Sequence, residues 1–193
     1  PYMDTSAIVM AKRAAAMREP FDVMYCRMAS LREKDGKLND IVRETMGRAT
    51  EINTPPSFTQ WPAMEAFASE VLKKTAALEE TRAAYKRIYT RAMFPASHFV
   101  GAAYKARHPK TEWIAEFSDP LLYDIKSQPR NAPLSRAWLE ETGILQAVSK
   151  RKITLPDNDN LFLWCEFLPY VLADTLLFTN ENQKSYMLDV FPM

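Results

Sequence analysis

The chain has 193 residues, of which 47% are hydrophobic and 25% charged, and these proportions are typical of a water-soluble fold with a buried core. Its formal net charge of +1 gives no electrostatic reason to expect nucleic acid as a partner. No apolar run approaches the roughly 20 residues that span a bilayer, and the charged residues near the start are unlike a signal peptide.

Cysteine and glycine usage narrows the classes of function further. Cys26 and Cys165 lack a paired spacing, so we expect both to be reduced in a cytoplasmic protein. The 4 glycines are scattered, which excludes the GxGxxG and GxxxxGK[ST] loops that bind phosphates. The chain also lacks the HExxH and GxSxG motifs and any Cys/His cluster, so we expect neither a metal site nor serine-hydrolase chemistry.

Propensity and hydrophobic periodicity predict alternating helices and strands along the whole chain. In chain order, the predicted elements are a helix at 7–17, a strand at 21–28, a helix at 38–46, a strand at 49–54, helices at 61–75, 78–93 and 97–107, a strand at 112–117, a helix at 134–149, a helix at 160–172, a strand at 173–179 and a helix at 181–190. This alternation indicates an α/β fold. We therefore expect a Rossmann-like, mostly parallel sheet flanked by helices, in a single domain over residues 1–193.

The first predicted helix has no predicted strand before it. Asp4, Thr5 and Ser6 precede it, and their side-chain oxygens suit an N-cap. A helix followed by a strand is typical of a βαβ unit, so we expect a further strand ahead of Pro1 in a longer protein. The same three residues would then lie at the end of that strand and contact a substrate there.

Polar side chains follow two of the apolar strands. The strand at 112–117 is followed by Ser118 and Asp119, and the last strand is followed by Asn180 and Glu181. In open α/β sheets, ligands bind outside the carboxyl ends of the strands. The sequence therefore predicts a substrate-binding edge that contains these four residues.

Each candidate side chain also has a structural interpretation. Asp119 is the candidate catalytic residue, as a general base or as a group that orients an acceptor hydroxyl, but Asp-Pro also forms turns. Glu116 is a candidate substrate ligand, although a buried ion pair with Arg or Lys is favoured. His98 is a candidate base or ligand, although a helix-start residue bonded to backbone is favoured. Capping of the last helix by Thr179 or Asn180, with Glu181 in its first turn, is expected whether or not these residues bind a ligand.

Three segments carry a resemblance to a known family. They are PYMDTSAIVMAKRAA with FDVMYC, then YTRAMFPASHFVGAAYKARHP with WIAEFSDPL, and finally ADTLLFTNENQKSYML. Together they resemble the N-terminal half of bacterial GT-B glycosyltransferases of the family 4 type. In that family an Asp-Pro segment follows a central strand, and a later strand ends in a polar element that starts a helix.

The resemblance implies a two-domain enzyme that moves a sugar from a nucleotide-sugar donor to a glycan or glycolipid acceptor. This chain would be the Rossmann-like acceptor side. Its own C-terminal domain would be a partner and would hold the donor, so no cofactor is expected in this chain. By itself the chain is expected to be inactive.

Further expectations concern the surface. The basic clusters at 12–13 and 150–152 would contact anionic lipid if the acceptor is a lipid-linked sugar, which would place the protein at the inner face of the membrane. A face left uncovered by the missing domain predicts self-association. The alternative function is a non-catalytic α/β module for protein binding. A second α/β domain following Met193 would favour the enzyme.

Overall fold

The computed structural model describes residues 5–34 and 36–191, which form eight helices and five strands. The chain divides into two compact units, residues 1–56 and residues 57–193. Every pair of neighbouring strands is parallel, which confirms the predicted α/β class with parallel pairing. In the part of the chain that is described, the strands form two sheets, one in each unit.

The first unit contains a two-stranded parallel sheet. Its elements are α1 (Thr5–Met17), β1 (Phe21–Cys26), α2 (Lys37–Val42) and β2 (Met46–Ile52). Cys26 at the end of β1 lies opposite Ile52 at the end of β2, and both side chains are buried. Because both strands run in the same direction, the residues that follow them emerge at the same edge of the sheet.

The second unit contains the larger sheet, with its strands in the order β3-β4-β5. Its elements are α3 (Trp61–Glu79), β3 (Arg87–Ala92), α4 (Ala96–Arg107), β4 (Glu112–Phe117), α5 (Arg136–Glu141), α6 (Ile144–Ser149), α7 (Leu161–Leu172), β5 (Thr175–Phe178) and α8 (Glu181–Val190). The central strand, β4, is almost entirely buried. Helix α7 is buried along nearly its whole length, which explains its continuous apolar sequence.

Trp113 is the centre of the core of this unit. Its indole is fully buried, and Nε1 donates a hydrogen bond to Oγ1 of Thr90 at 2.9 Å. Gly101 of α4 lies directly over the ring, since a Cβ atom at that position would be 2.4 Å from it. The helix therefore approaches the sheet as closely as its backbone allows, and glycine is needed for this contact.

An ion pair joins α4 to the amino ends of β4 and β5. Nζ of the buried Lys105 lies 2.7 Å from Oδ2 of Asp174 and donates a second hydrogen bond to the carbonyl of Thr111. The same carboxylate oxygen accepts from the backbone N–H of Trp113 at 2.7 Å. Burial alone would raise the pKa of the Asp174 carboxyl. The hydrogen bonds from Lys105 and Trp113 and the charge of Lys105 outweigh this effect, and they hold the pKa below its ordinary value.

The helix predicted at 78–93 is wrong. Helix α3 already ends at Glu79, and the second half of the segment is β3. Arg87 and Arg91 lie opposite Glu112 and Glu116 of β4, and each pair forms a salt bridge. The apolar residues of this segment have the spacing of a helix. The partners that favour a strand are Glu112 and Glu116, which lie 25 residues further along the chain. Pairing with β4 therefore overrides the local preference.

The helix predicted at 134–149 is two helices in the structure. Gly143, between α5 and α6, has a φ of 79°, in the left-handed region that favours glycine. This conformation separates α5, which ends at Glu141, from α6, which begins at Ile144.

Gly101→Ala tests the close contact between α4 and Trp113. A methyl group at this position would press against the rigid indole, so we expect the free energy of unfolding to fall by about 2 kcal/mol. Urea unfolding followed by tryptophan fluorescence measures the change. Gly36→Ala is the control, because no heavy atom lies within 4 Å of a Cβ there. Equal stability of Gly101→Ala and the wild type would contradict the packing described.

Candidate functional site

The candidate site is the carboxyl edge of the β3-β4-β5 sheet. Ala92, Phe117 and Phe178 end the three strands in register. The residues that follow β4 and β5 therefore emerge beside one another. The structure brings Ser118 and Thr179 together at this edge, and binding of a substrate there stays a prediction.

The side chains of Thr179, just after β5, and of Gln183, on α8, hold the two strand ends together. Oγ1 of Thr179 donates to the carbonyl of Ser118 at 2.9 Å. Gln183 of α8 donates from Nε2 to the carbonyl of Phe117 at 3.3 Å, and its Oε1 accepts from the N–H of Thr179 at 2.6 Å. The edge is therefore a cross-linked structure in which the start of α8, the end of β4 and the end of β5 share hydrogen bonds.

Capping by Asn180 is confirmed. Its Oδ1 accepts a hydrogen bond from the N–H of Gln183 at 2.9 Å, which satisfies one of the free donors at the start of α8. Glu181 lies in the first helical turn, where a negative charge is favoured, and its Oε1 is 2.9 Å from Nζ of Lys184. Ligand binding by these two residues stays a prediction.

Asp119 lies just past β4 with its side chain exposed. The backbone beyond it is fixed from two sides. Oε1 of Glu166, on α7, accepts from the N–H groups of Leu121 and Leu122 at 2.6 and 2.8 Å. Nη1 of Arg130 donates to the carbonyls of Pro120 and Leu121 at 2.9 and 3.1 Å. Asp119 thus extends into solvent from a turn whose backbone is held by buried hydrogen bonds.

Glu166 is a residue that the sequence analysis missed. It is 1% exposed, and burial raises the pKa of its carboxyl, although the N–H groups of Leu122 and Leu121 and the charge of Arg130 act in the opposite direction. The available signal was a single carboxylate inside the apolar stretch Leu161–Leu172. A carboxylate in such a position requires donors, and these come from a loop about 45 residues earlier in the chain.

Glu116 forms the buried ion pair that the sequence favoured. It is fully buried on β4, and Nη1 of Arg91 donates to its Oε1 while Oη of Tyr89 donates to its Oε2. Both carboxylate oxygens are therefore engaged by β3. This arrangement fixes β3 against β4, and the predicted contact of Glu116 with a substrate stays a prediction.

His98 lies in the core, in the first turn of α4, with no exposed surface. Its Nδ1 is 3.3 Å from the carbonyl oxygen of Cys165, so the expected bond to backbone is present. The ring packs edge-on against Phe117 at 4.9 Å between centroids. Burial lowers the pKa of His98 to about 4, although the backbone of Cys165 and of Glu116 acts to raise it. The imidazole is therefore neutral at pH 7.

Two hydroxyl groups next to Phe117 have no hydrogen-bond partner within the described part of the chain. They are Oγ of Ser118 and Oη of Tyr170, and both atoms are buried. The ring of Tyr170 packs 5.6 Å from that of Phe117. Burial, reinforced by the charge of Glu166, raises the pKa of Tyr170, so the hydroxyl keeps its proton and remains a donor. A buried hydroxyl without a partner is costly unless a ligand or water satisfies it.

The first unit holds the remaining predicted site residues. Thr5 and Ser6 are helical residues of α1, so their prediction as N-cap residues is wrong. The reason is that the helix-forming sequence extends further towards the start than its apolar spacing indicates. Asp4 lies outside the described residues. The predicted contact of these residues with a substrate stays a prediction.

Two other kinds of feature are absent from residues 5–34 and 36–191. Within those ranges, no three His, Cys, Asp or Glu side chains are grouped so that they could hold a metal ion. None of the helices there combines the length and the apolar character that crossing a membrane requires.

Glu166→Ala tests the bracing of the turn after Asp119. It leaves the N–H groups of Leu121 and Leu122 without an acceptor in the core, and we expect a loss of about 3 kcal/mol in the free energy of unfolding. Glu166→Gln keeps an acceptor without the buried charge and should remain close to the wild type at pH 7. Glu140→Ala, at an exposed position of α5, is the control. If the alanine variant at 166 were as stable as the glutamine variant, the bracing role would be refuted.

The pKa of His98 predicts a pH dependence of stability. An unfolded chain binds a proton at this residue below about pH 6.5, whereas the folded chain does so only near pH 4. The free energy of unfolding should therefore fall by on the order of 3 kcal/mol as the pH falls through this window. Chemical unfolding at a series of pH values measures the slope. In His98→Gln, the part of this pH dependence that is due to His98 should be absent. If the free energy of unfolding of the variant changed with pH as in the wild type, other groups would be its cause.

Comparison with known proteins leaves the family open. No family model matches the chain, and no curated protein matches it.

Proposed function

We propose that this chain is the acceptor-side part of a GT-B glycosyltransferase. The reaction would transfer a sugar from a nucleotide-sugar donor to a hydroxyl group of a glycan or glycolipid. A second α/β domain of the same protein would bind the donor. The single observation that carries the proposal is the position of Asp119, an exposed carboxylate on a braced turn at the carboxyl end of the central strand β4.

The bracing matters because a group that acts on a hydroxyl must be held in a narrow range of positions. Misplacement by about 1 Å can lower a rate about a hundredfold. On one side of Asp119, the backbone donates hydrogen bonds to Glu166 and accepts them from Arg130. On the other side, the bond from Thr179 to the Ser118 carbonyl restrains it. This geometry supports a role for Asp119 in placing an acceptor.

The hydroxyl groups of Ser118 and Tyr170 support the same proposal. Both are buried near the end of β4 and lack partners among the described residues. Sugar hydroxyls both donate and accept hydrogen bonds, so they can satisfy such groups. A glycan acceptor is therefore a chemically suitable ligand for this edge.

In the proposed reaction, the acceptor oxygen forms a bond to the anomeric carbon of the donor sugar. The bond from that carbon to the diphosphate oxygen breaks, and the nucleoside diphosphate leaves with the electron pair. Asp119 accepts a hydrogen bond from the acceptor hydroxyl, either as the general base that takes its proton or as the group that orients it. Both roles predict that the carboxylate is needed for rate.

For the location, we propose the cytoplasmic side of a membrane. Lys150, Arg151 and Lys152 follow α6 as three exposed cations, and a lipid-linked acceptor would bring anionic lipid close to such a cluster.

If the donor-binding domain covers a face of this chain in the full protein, we expect the chain without that domain to self-associate in solution.

Asp119→Asn tests the role of the carboxylate. We expect the full protein to release nucleoside diphosphate from UDP- or GDP-hexoses in the presence of a membrane glycolipid extract. The variant should be slower by a factor of about a hundred, because general-base contributions are typically of this size, with little change in KM for the donor. Asp157→Asn, another exposed position, is the control.

Two results would contradict the proposal. Undiminished turnover by Asp119→Asn would remove this residue from the reaction. Failure of the full protein to turn over any of these donors, combined with specific binding of a protein partner, would favour the alternative of a non-catalytic binding module.

A further inference from the structure

A groove crosses the carboxyl ends of β1 and β2, within residues 1–56. It consists of two cavities of about 340 and 480 Å³ whose linings share Arg27 and Ala29. We call it the arginine groove, because Arg27 and Arg32 both line it. All of its lining residues belong to the first unit, and none of them has a role in the proposed sugar transfer.

Strand pairing positions the centre of the groove. Arg27 is the first residue after β1 and Asn53 the first after β2, and the N–H of Arg27 donates to the carbonyl of Ile52 at 2.9 Å. Nη1 of Arg27 donates to Oδ1 of Asn53 at 3.1 Å. This bond orients the Asn53 amide, whose NH2 group can then donate to a ligand. It also uses only one of the five N–H donors of the guanidinium.

The charges along the groove favour an anion. Lys34 and Glu51 form a salt bridge at 2.7 Å and largely neutralise each other. The remaining charges among the described lining residues are the guanidinium groups of Arg27 and Arg32 and the carboxylate of Glu33. Guanidinium groups bind phosphate oxygens through pairs of parallel hydrogen bonds. A phosphate group also carries more negative charge than a carboxylate, so two guanidinium groups bind a phosphate more strongly.

Hydroxyl groups extend the donor set beyond the arginines. Ser30 and Thr54 line the second cavity together with Asn53. A ligand that carries hydroxyl groups next to its phosphate would meet both the charged and the neutral polar part of the groove. The carboxyl ends of parallel strands are also the usual position of ligands in α/β sheets.

We propose that the arginine groove binds a phosphate monoester, with Arg27 and Arg32 on the phosphate and Ser30, Asn53 and Thr54 on the hydroxyl groups of its carrier. The phosphate could belong to a soluble sugar phosphate or to a lipid headgroup. Both sources present the same doubly charged group to the two guanidinium groups.

The test is a titration of the chain with glucose 6-phosphate, followed by calorimetry and by the NMR shifts of residues around the groove. Inorganic phosphate, glucose and acetate are the comparison ligands. We expect saturable binding of glucose 6-phosphate and of phosphate, and none of glucose or acetate at the same concentrations. Vesicles of phosphatidylcholine with and without phosphatidic acid form the second arm, and binding there without binding of glucose 6-phosphate would assign the lipid as the source.

Substitutions separate this site from general charge attraction. Arg27→Gln and Arg32→Gln should each weaken binding of phosphate at least tenfold. Arg48→Gln removes the same charge at an exposed position of β2 that does not line the groove, and it should change affinity less than twofold. Arg27→Lys keeps the charge but loses the planar fork, so it too should bind more weakly than the wild type.

Several results would overturn the proposal. They are the absence of saturable binding in both arms, equal affinity for acetate and phosphate, and equal losses in Arg48→Gln and Arg27→Gln. Both groove arginines are exposed, so their substitution should leave the fold intact, which circular dichroism checks.

Discussion

The sheet of the second unit depends on one buried ion pair, between Glu116 and Arg91. Glu116 lies in the central strand without access to water, where an unpaired carboxylate would cost several kcal/mol. Arg91 and Tyr89 provide donors for both of its oxygens. Loss of either partner would leave a charge or a polar group stranded in the core, so the network favours this pairing of β3 with β4 over other alignments. The position of the candidate edge follows from that register, since it determines which residues emerge together after the strands.

A second buried carboxylate, that of Glu166, stabilises a loop rather than a pair of strands. Glu166 comes from the longest apolar stretch of the unit, yet it binds backbone rather than a side chain. Its carboxylate accepts the backbone hydrogen bonds of a loop that has little secondary structure of its own. An exposed loop would normally move on a fast timescale, but this one is tied to α7 and to Arg130. The turn that carries Asp119 is thereby held by hydrogen bonds from two other parts of the chain.

The sequence predicts those parts of the fold that short-range patterns determine. Helix α8 was predicted with its observed bounds, because Asn180 provides a local cap and the strand before it is apolar. The segment that forms β3 was predicted as a helix, because its charged partners lie on the next strand. The bracing role of Glu166 could not be predicted, because its partners follow only from the tertiary fold. The sequence thus shows which polar residues follow the strands, whereas the hydrogen bonds that hold the edge could not be predicted from it.

The hydrogen bonds of Gln183 have a consequence for ligand binding. This side chain contacts the end of β4 and the start of the loop after β5 from within α8, so the helix cannot move away without breaking both contacts. Most of the ordering of this edge is therefore present without a ligand. If the proposed acceptor binds here, its association should require little rearrangement of backbone, and affinities of related acceptors should differ mainly in how fast they dissociate.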